Sequence, residues 1–423
     1  MIEFIETIKA RNFTFLWMSQ IISQLVINTL SFLILTRIFE VTGSTIAVSF
    51  VWVAYALPAI VFGPVGAVTA DVADKRKVMI TSILLQSLIV FLFSLFYSKY
   101  LFLSYAVVFT YSLFNQFYMP SEAASLPHVV NKAHLPQANS LFFMTVQSGL
   151  VSGFVSAGLL YDAVGFGPTV LVAGVILLFA ALSVKMLPSL KSQERLPKDF
   201  EKGVSKFFGG MVEGYKFIKN NTFILFPFLL LTGLQVALSV VVVSLPVITS
   251  EIIKTKVSLS GLVVVAPAAA GALVGTFLVS KLLSKAVRKR KIIEVAIFVF
   301  SGCFLALSAI VPSVDFWLGR SLSLICFFAA GAAYVASLIP SLTYLQEVTP
   351  ADLMGRVFGN IWFVTTVMTV VPVLFSATIT EIFGIELMLF ALGLLGLLVG
   401  LAAKFELHGI FSYRKNFIKW LKG

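Results

Sequence analysis

The sequence predicts an all-α integral membrane protein, with twelve transmembrane helices in two pseudo-symmetric six-helix bundles. Composition is the first observation behind this. Of 423 residues, 59% are hydrophobic and 12% charged, whereas soluble domains carry roughly 25% charge. Mean hydropathy is +1.00. Periodicity is the second. Apolar runs recur at 14–37, 46–70, 78–98, 100–120, 139–161, 166–187, 222–248, 258–282, 292–312, 316–342, 357–380 and 385–404, near the roughly 20 residues that a helix needs to cross a bilayer. Repetition is the third. Asn12-Phe-Thr-Phe-Leu recurs as Asn221-Thr-Phe-Ile-Leu, Pro58-Ala59 as Pro267-Ala268, Met119-Pro120-Ser121 as Ile339-Pro340-Ser341, and the basic run from Lys75 to Lys77 as that from Arg288 to Lys291. The shared order marks a duplicated half, a parallel repeat about an axis along the membrane normal. The boundaries that follow are 1–187 for the first bundle, 188–221 for a linker, 222–404 for the second bundle and 405–423 for a tail.

The net charge of +12 does not point to nucleic acid, because the cations lie between apolar runs and not on one soluble domain. Of the 31 Lys and Arg residues, 26 fall in segments on the N-terminal side of the membrane. Four (Arg37, Lys99, Lys254, Lys256) fall on the other side, and Arg320 lies within span 10. The positive-inside rule places both termini in the cytoplasm of a multi-pass plasma-membrane protein. Cys303 and Cys326 lie inside apolar runs and read as packing residues, not as a disulfide framework. The N-terminal residues lack a basic region followed by a small-residue cleavage site, so no cleaved signal peptide is expected.

Span 1 carries a polar stripe, Gln20, Gln24, Asn28 and Ser31, within an arc of about 80° on a helix. Polar groups at that depth need partners. The stripe either lines a cavity or hydrogen-bonds a neighbouring helix. Arg37 and Glu40, at the outer end of the span, either snorkel to the interface or act on an anionic substrate. Span 2 ends in Asp71, and five of the seven residues from Asp71 to Lys77 are charged. Between two spans this is a tight turn at the membrane face, with Lys75, Arg76 and Lys77 in water near headgroups.

This stretch resembles the signature loop between helices 2 and 3 of the major facilitator superfamily of transporters, Gly-x-Leu-Ala-Asp-Arg-x-(Gly or Asp)-Arg-Arg. Ala70, Asp71, Asp74, Lys75 and Arg76 match it in place. Val72 stands where the family has Arg, and Ala67 where it has Gly, with Gly66 one position early. Two further stretches narrow the resemblance. Phe117 to Val130, with Leu135 to Leu141, is similar to the loop 4–5 pattern of the branch that holds the enterobactin exporters and macrolide-efflux proteins. Gln346 to Phe358 is similar to that branch's loop 10–11 pattern, and the likeness covers nearly the whole chain. It implies the major facilitator fold and export of a small molecule driven by a proton gradient. The family's loop 2–3 Asp latches the inner gate near the start of span 11, and Asp71 matches it. Arg76 or Lys75 is then expected to bridge Asp71 to Glu122, with Asp74 in the same loop. The alternative is that these charges only anchor the loop.

Within loop 10–11, Thr349 suits a helix start, Pro350 its first position, and Asp352 the first turn near the positive dipole end. Gly355 permits a bend beside Arg356. In the family, spans 1, 4, 7 and 10 line the path. Here those spans offer Tyr111 with Asn115, Thr232 with Gln235 and Ser239, and Tyr334 with Ser337, each at helical spacing. Set among 41 phenylalanines, they describe a polar but uncharged lining suited to a bulky, apolar or amphipathic solute. Many exporters of the branch carry an acid in span 1, and this chain has Asn28 there. No Asp or Glu lies near the middle of any span, so coupling runs through Glu122, through substrate charge, or is absent. Arg320, with Asp315 nearby, either snorkels or attracts an anionic substrate.

Gly149, Gly153 and Gly158 in span 5 allow close helix contact. They resemble the Gly-rich fifth helix of facilitator antiporters, with Phe154 where that motif has Pro. In the linker, Phe207, Met211, Tyr215 and Phe217 alternate with Lys206, Lys216 and Lys219, as in an amphipathic helix on the inner membrane surface. The basic, apolar tail from Ile410 to Lys422 is expected on the same surface. His128 and His134 are too far apart for a metal site, no catalytic cluster is present, and no nucleotide-binding loop makes ATP the driver. The reading is a secondary transporter, without a cofactor, that exports a drug-, macrolide- or siderophore-like molecule by alternating access. Its partners are that molecule, protons and membrane lipids, with no nucleic acid, and it is expected to be a monomer. The alternative is a lipid or lysophospholipid flippase of the same fold, with Arg320 holding a headgroup.

Overall fold

The computed structural model describes residues 2–131, 134–190, 200–285, 287–349 and 354–402. Every regular element among them is helical. Eleven helices are long and apolar enough to cross a membrane. A twelfth, Phe102–Val129, is 28 residues long but carries Ser104, Tyr111, Asn115, Gln116 and Glu122 and falls short in apolarity. The chain divides into two units, Met1–Gly209 and Gly210–Gly423.

In the first unit a short helix α1 (Ile2–Lys9) precedes α2 (Arg11–Thr42), α3 (Thr45–Val72), α4 (Lys75–Phe96), α5 (Phe102–Val129), α6 (Leu135–Val164) and α7 (Phe166–Lys185). α8 (Phe200–Asn220) follows, and the division between the units falls within it. α2 packs against α6 and α7, α3 against α5, and α4 against α5 and α7. Small residues set these approaches. Gly149 and Gly153 face Gln24 and Asn28, where an added Cβ would lie 2.9 and 2.5 Å from their Cβ atoms. Ser87 of α4 donates to the Gly174 carbonyl of α7 at 2.8 Å.

The second unit holds α9 (Thr222–Val247), α10 (Ala266–Ser284), α11 (Lys289–Ala309), α12 (Phe316–Val348), α13 (Met354–Phe383) and α14 (Ile385–Ala402). α9 packs against α13, α10 against α12, and α11 against α12. Gly393, Gly396 and Gly400 of α14 abut Leu305, Ser301 and Ile297 of α11. The second unit therefore repeats the helix pairing of the first. Between α9 and α10 the chain widens into π turns at Ile248–Ile252 and Gly261–Val265. Thr249 joins the two by donating to Ser260 at 2.7 Å.

Two expected boundaries move. Span 4 was expected to stop at Pro120 and span 10 at 342, yet α5 runs through Pro120 and Pro127 to Val129, and α12 through Pro340 to Val348. A proline removes one amide donor, and packed neighbours and side chains make the break tolerable. Pro120 leaves the Gln116 carbonyl without its helical amide partner, and that carbonyl turns toward Gly66, where a Cβ would sit 1.9 Å away. The motif read as a loop from Phe117 to Val130 is thus mostly helix.

In α8, Tyr215 is exposed, and Ile218 is the residue buried against Ile224, Phe228, Leu231 and Leu345. The side chains of Phe207, Met211 and Phe217 and the tail 405–423 lie outside the described residues.

Candidate functional site

The most enclosed polar cluster in the first unit joins α2 to α5. Glu122 is 5% exposed and accepts a hydrogen bond from the Tyr118 hydroxyl at 2.6 Å. Tyr118, itself 2% exposed, meets the hydroxyl of Ser19 at 2.9 Å. Tyr118 and Glu122 share a helix face at i, i+4. Among the described residues Glu122 has no cationic partner. A buried carboxyl held by neutral hydroxyls makes its protonation state a strong lever on the packing around it. Neither Ser19 nor Tyr118 was singled out from the sequence. The i, i+4 spacing of Tyr118 and Glu122 was legible, but Ser19 is brought in only by folding.

Next to this cluster lies Gln20, buried, with its amide donating to the Phe142 carbonyl at 3.4 Å and its Oε1 enclosed without a partner. The rest of the stripe divides. Gln24 and Asn28 sit against the α6 glycines, and Asn28 also donates to the Gln24 carbonyl at 2.7 Å. Ser31 bonds back to Ile27 at 2.7 Å. Helix contact therefore accounts for part of the stripe. Tyr111 and Asn115 are buried on α5. In the second unit, Tyr334 of α12 reaches Gln235 of α9 in a long contact of 3.5 Å. Ser239 donates to the Gln235 carbonyl at 2.9 Å, and Thr232 to that of Phe228. Ser337 is 1% exposed with its hydroxyl unpartnered. Arg320 is half-buried, Asp315 is exposed, and no ion pair joins them.

The expected bridge from Asp71 through Arg76 to Glu122 is not formed. Asp71 is exposed and has no ion-pair partner among the described residues. Arg76 donates instead to the Lys185 carbonyl at 2.6 Å, because that backbone oxygen at the end of α7 lies within reach. Nor do all three cations stay in water: Lys75 is 6% exposed.

Asp74 caps α4, accepting from the Arg76 amide at 3.1 Å and from the Ser189 hydroxyl at 2.8 Å. The Lys75 amide donates to the Leu190 carbonyl, so the turn also holds the start of the linker. Partial burial pushes the Asp74 carboxyl up. The hydrogen bonds from Ser189 and from the Lys77, Leu190 and Arg76 amides together outweigh this and hold it below the usual carboxylate range.

The second unit has an ion pair at its matching turn, Lys289 to Glu347 at 2.5 Å. Thr349 donates to the Leu345 carbonyl at 2.7 Å and so closes α12, where it was expected to open the next helix. Pro350 and Asp352 lie outside the described residues, as does the side chain of Arg356, which with Gly355 stands on α13.

At the other end of the first unit Arg37 is held by aromatic and backbone groups. Its guanidinium lies 4.6 Å from the Tyr97 ring centroid and 4.9 Å from that of Phe166, and it donates to the Tyr97 carbonyl at 2.9 Å. Glu40 accepts from the Tyr161 hydroxyl. Aromatic faces attract a guanidinium, and the connections on either side of α4 and α7 bring two within reach. Among the described residues no group of three metal-ligating side chains occurs.

Comparison with known proteins gives a consistent picture. The family described as the Major Facilitator Superfamily matches residues 16–372. An uncharacterized MFS-type transporter of Bacillus subtilis (strain 168), YfiS, is 28% identical over 368 residues, covering 86% of this chain and 85% of that protein. Among solved structures, the nucleoside transporter NupG aligns with a TM-score of 0.72 at 11% identity, covering 93% of this chain and 98% of that one. A bacterial homologue of the human lysosomal transporter Spinster aligns with 0.73 at 13% identity, covering 94% and 97%. At these identities the structural likeness speaks for the fold alone.

Proposed function

The chain belongs to the Major Facilitator Superfamily and is a multi-pass membrane transporter, and from that premise we propose that it exports a hydrophobic or amphipathic small molecule, with Glu122 as the group through which a proton gradient acts. The observation that carries this is the Ser19, Tyr118 and Glu122 chain. It is a buried carboxyl without a cationic partner among the described residues, linked by hydroxyls to the helix that bears the polar stripe. The uncharged polar groups of each unit, Gln20, Tyr111 and Asn115 in the first and Gln235, Ser239, Tyr334 and Ser337 in the second, support an apolar solute of the drug, macrolide or siderophore kind. Both termini are proposed to be cytoplasmic in the cell membrane, and the protein to act as a monomer by alternating access. Asp71, Lys75, Arg76, Asp352, Gly355 and Arg356 keep a proposed gating role, in which Asp71 acts in a state other than the one described.

Purified protein in liposomes with an imposed pH gradient tests this. Gradient-dependent movement of a fluorescent dye or macrolide, reduced at least tenfold by Glu122→Gln, is the expected result. Transport by Glu122→Gln equal to wild type overturns the coupling role. Arg320, half-buried and without an ion-pair partner among the described residues, favours a second reading, lipid flipping. Movement of a labelled lysolipid alone, indifferent to the gradient and lost in Arg320→Gln, would establish it instead.

A further inference from the structure

We propose that Glu122, Tyr118, Ser19 and Ser23 form a binding site for a sodium ion. The proposal rests on the reading of Glu122 as the coupling group and gives that carboxylate a second ion to carry. The site lies where α2 meets α5. Tyr118 donates to Glu122 at 2.6 Å and meets the Ser19 hydroxyl at 2.9 Å. Ser23 stands one turn beyond Ser19 on the same face of α2. It is 6% exposed, and its hydroxyl has no hydrogen-bond partner among the described residues. A buried serine on a helix commonly bonds back to the carbonyl four residues earlier, as Ser31 does at Ile27. Ser23 does not, which leaves its oxygen to a ligand.

The second unit supplies a control. Asn12 and Pro58 recur 209 positions later, and Pro120 recurs 220 positions later. The same offsets carry Ser19 to Phe228, Tyr118 to Leu338 and Glu122 to Leu342. Those three pack with Leu231 and Leu345 in one apolar cluster. Ser23 falls on Thr232, which does bond back, to the Phe228 carbonyl at 2.9 Å. The fold thus fills this place with hydrocarbon in one half of the chain. Burying a carboxyl and hydroxyls in the other half costs stability, and a ligand accounts for their presence.

The donor set selects the ion. One carboxylate and neutral hydroxyls are all oxygen donors, which suit a hard cation. Glu122 has no cationic side chain to neutralise it among the described residues. A monovalent ion leaves the site neutral, whereas a divalent ion buries a net charge. Oxygens 2.6 and 2.9 Å apart favour a small ion over potassium. On binding, the Tyr118 and serine hydroxyls turn their lone pairs to the ion.

The test uses the purified full chain in lipid nanodiscs at one fixed pH, with choline chloride balancing ionic strength. Radioactive sodium is followed by scintillation proximity. The expected result is saturable binding that unlabelled sodium chloride displaces and potassium chloride does not. Glu122→Gln should abolish it. Ser23→Ala deletes a hydroxyl that holds nothing in the structure, so it should fold as wild type does and weaken sodium binding about tenfold. The proposal is overturned if no bound sodium is displaced, if potassium displaces it equally, or if Ser23→Ala or Glu122→Gln binds as wild type does. No sodium binding, with gradient-driven transport lost in Glu122→Gln, strikes the sodium site and leaves the coupling role standing. Sodium binding lost in Glu122→Gln, with transport unchanged, upholds the site and strikes the coupling role.

Discussion

At the scale of single residues, charge is placed by what each group can reach within its own unit. Arg37 meets two aromatic rings and a backbone carbonyl with one planar head, which an ammonium cannot do. Arg37→Lys should therefore lower stability by about 1–2 kcal/mol, and a thermal unfolding series in detergent will read it. Asp74 stabilises the start of α4 through its carboxylate. Asp74→Ala should cost about 1 kcal/mol, the usual worth of such a cap. Its pH dependence has a defined sign. The native carboxyl is held below the ordinary range, so its contribution is complete above the unfolded value of about 4 and is lost as pH falls through the native one. Wild type should lose unfolding temperature on that acid limb relative to Asp74→Asn, and equal slopes would remove the assignment. Around Glu122, Tyr118→Phe keeps the ring and deletes the hydroxyl with its bonds to Glu122 and Ser19. It should move the pH profile of transport while leaving the protein folded, whereas a merely structural Tyr118 would change yield and leave the profile in place.

At the scale of helices, proline and glycine act as a matched set. The carbonyl freed by Pro120 points where α3 offers Gly66, so a chain-breaking residue in one helix is accommodated by a missing side chain in another. The second unit shows a similar fit, with Gly271 against the Phe328 carbonyl and Gly331 against that of Ala268, at 1.8 and 1.9 Å from an added Cβ. Contacts under 3 Å to backbone cannot be relieved by a side-chain turn. Gly66→Val and Gly271→Val should each force α3 from α5 or α10 from α12, costing about 3 kcal/mol or more. The loss of monodisperse protein on size-exclusion chromatography measures this. A wild-type profile for Gly66→Val would mean that the two helices do not cross as closely as described.

At the scale of the whole molecule, the twelve runs were legible because each is a self-contained apolar signal of the right length. The duplication was legible because Asn12 and Asn221, Pro58 and Pro267, and Pro120 and Pro340 keep their order. What escaped the sequence was tertiary. The end of α5 was misplaced because Pro120 reads as a stop when the helix that receives its free carbonyl is unknown. The Ser19–Tyr118 contact joins residues 99 positions apart, and no local pattern encodes it. The ring partners of Arg37 escaped because Tyr97 and Phe166 lie far apart in the sequence. The proposed orientation is a property of the whole chain and is testable as such. A fluorescent protein fused to the C-terminus should mature and glow, whereas an alkaline phosphatase fusion at the same point should be inactive, and the reverse pattern would invert the topology.

α5 is also the least apolar of the twelve spans, and this bears on how the protein is made. A nascent segment rich in Ser, Tyr, Asn and Gln, ending in a carboxyl, partitions weakly from the translocon into lipid. Its polar face is covered chiefly by α2, α3 and α4, all synthesised before it. Membrane integration of the first unit is therefore sequential and cooperative: three earlier helices must wait beside the exit site to receive the fourth, and α5 presented alone in a host protein should slip through to the far side.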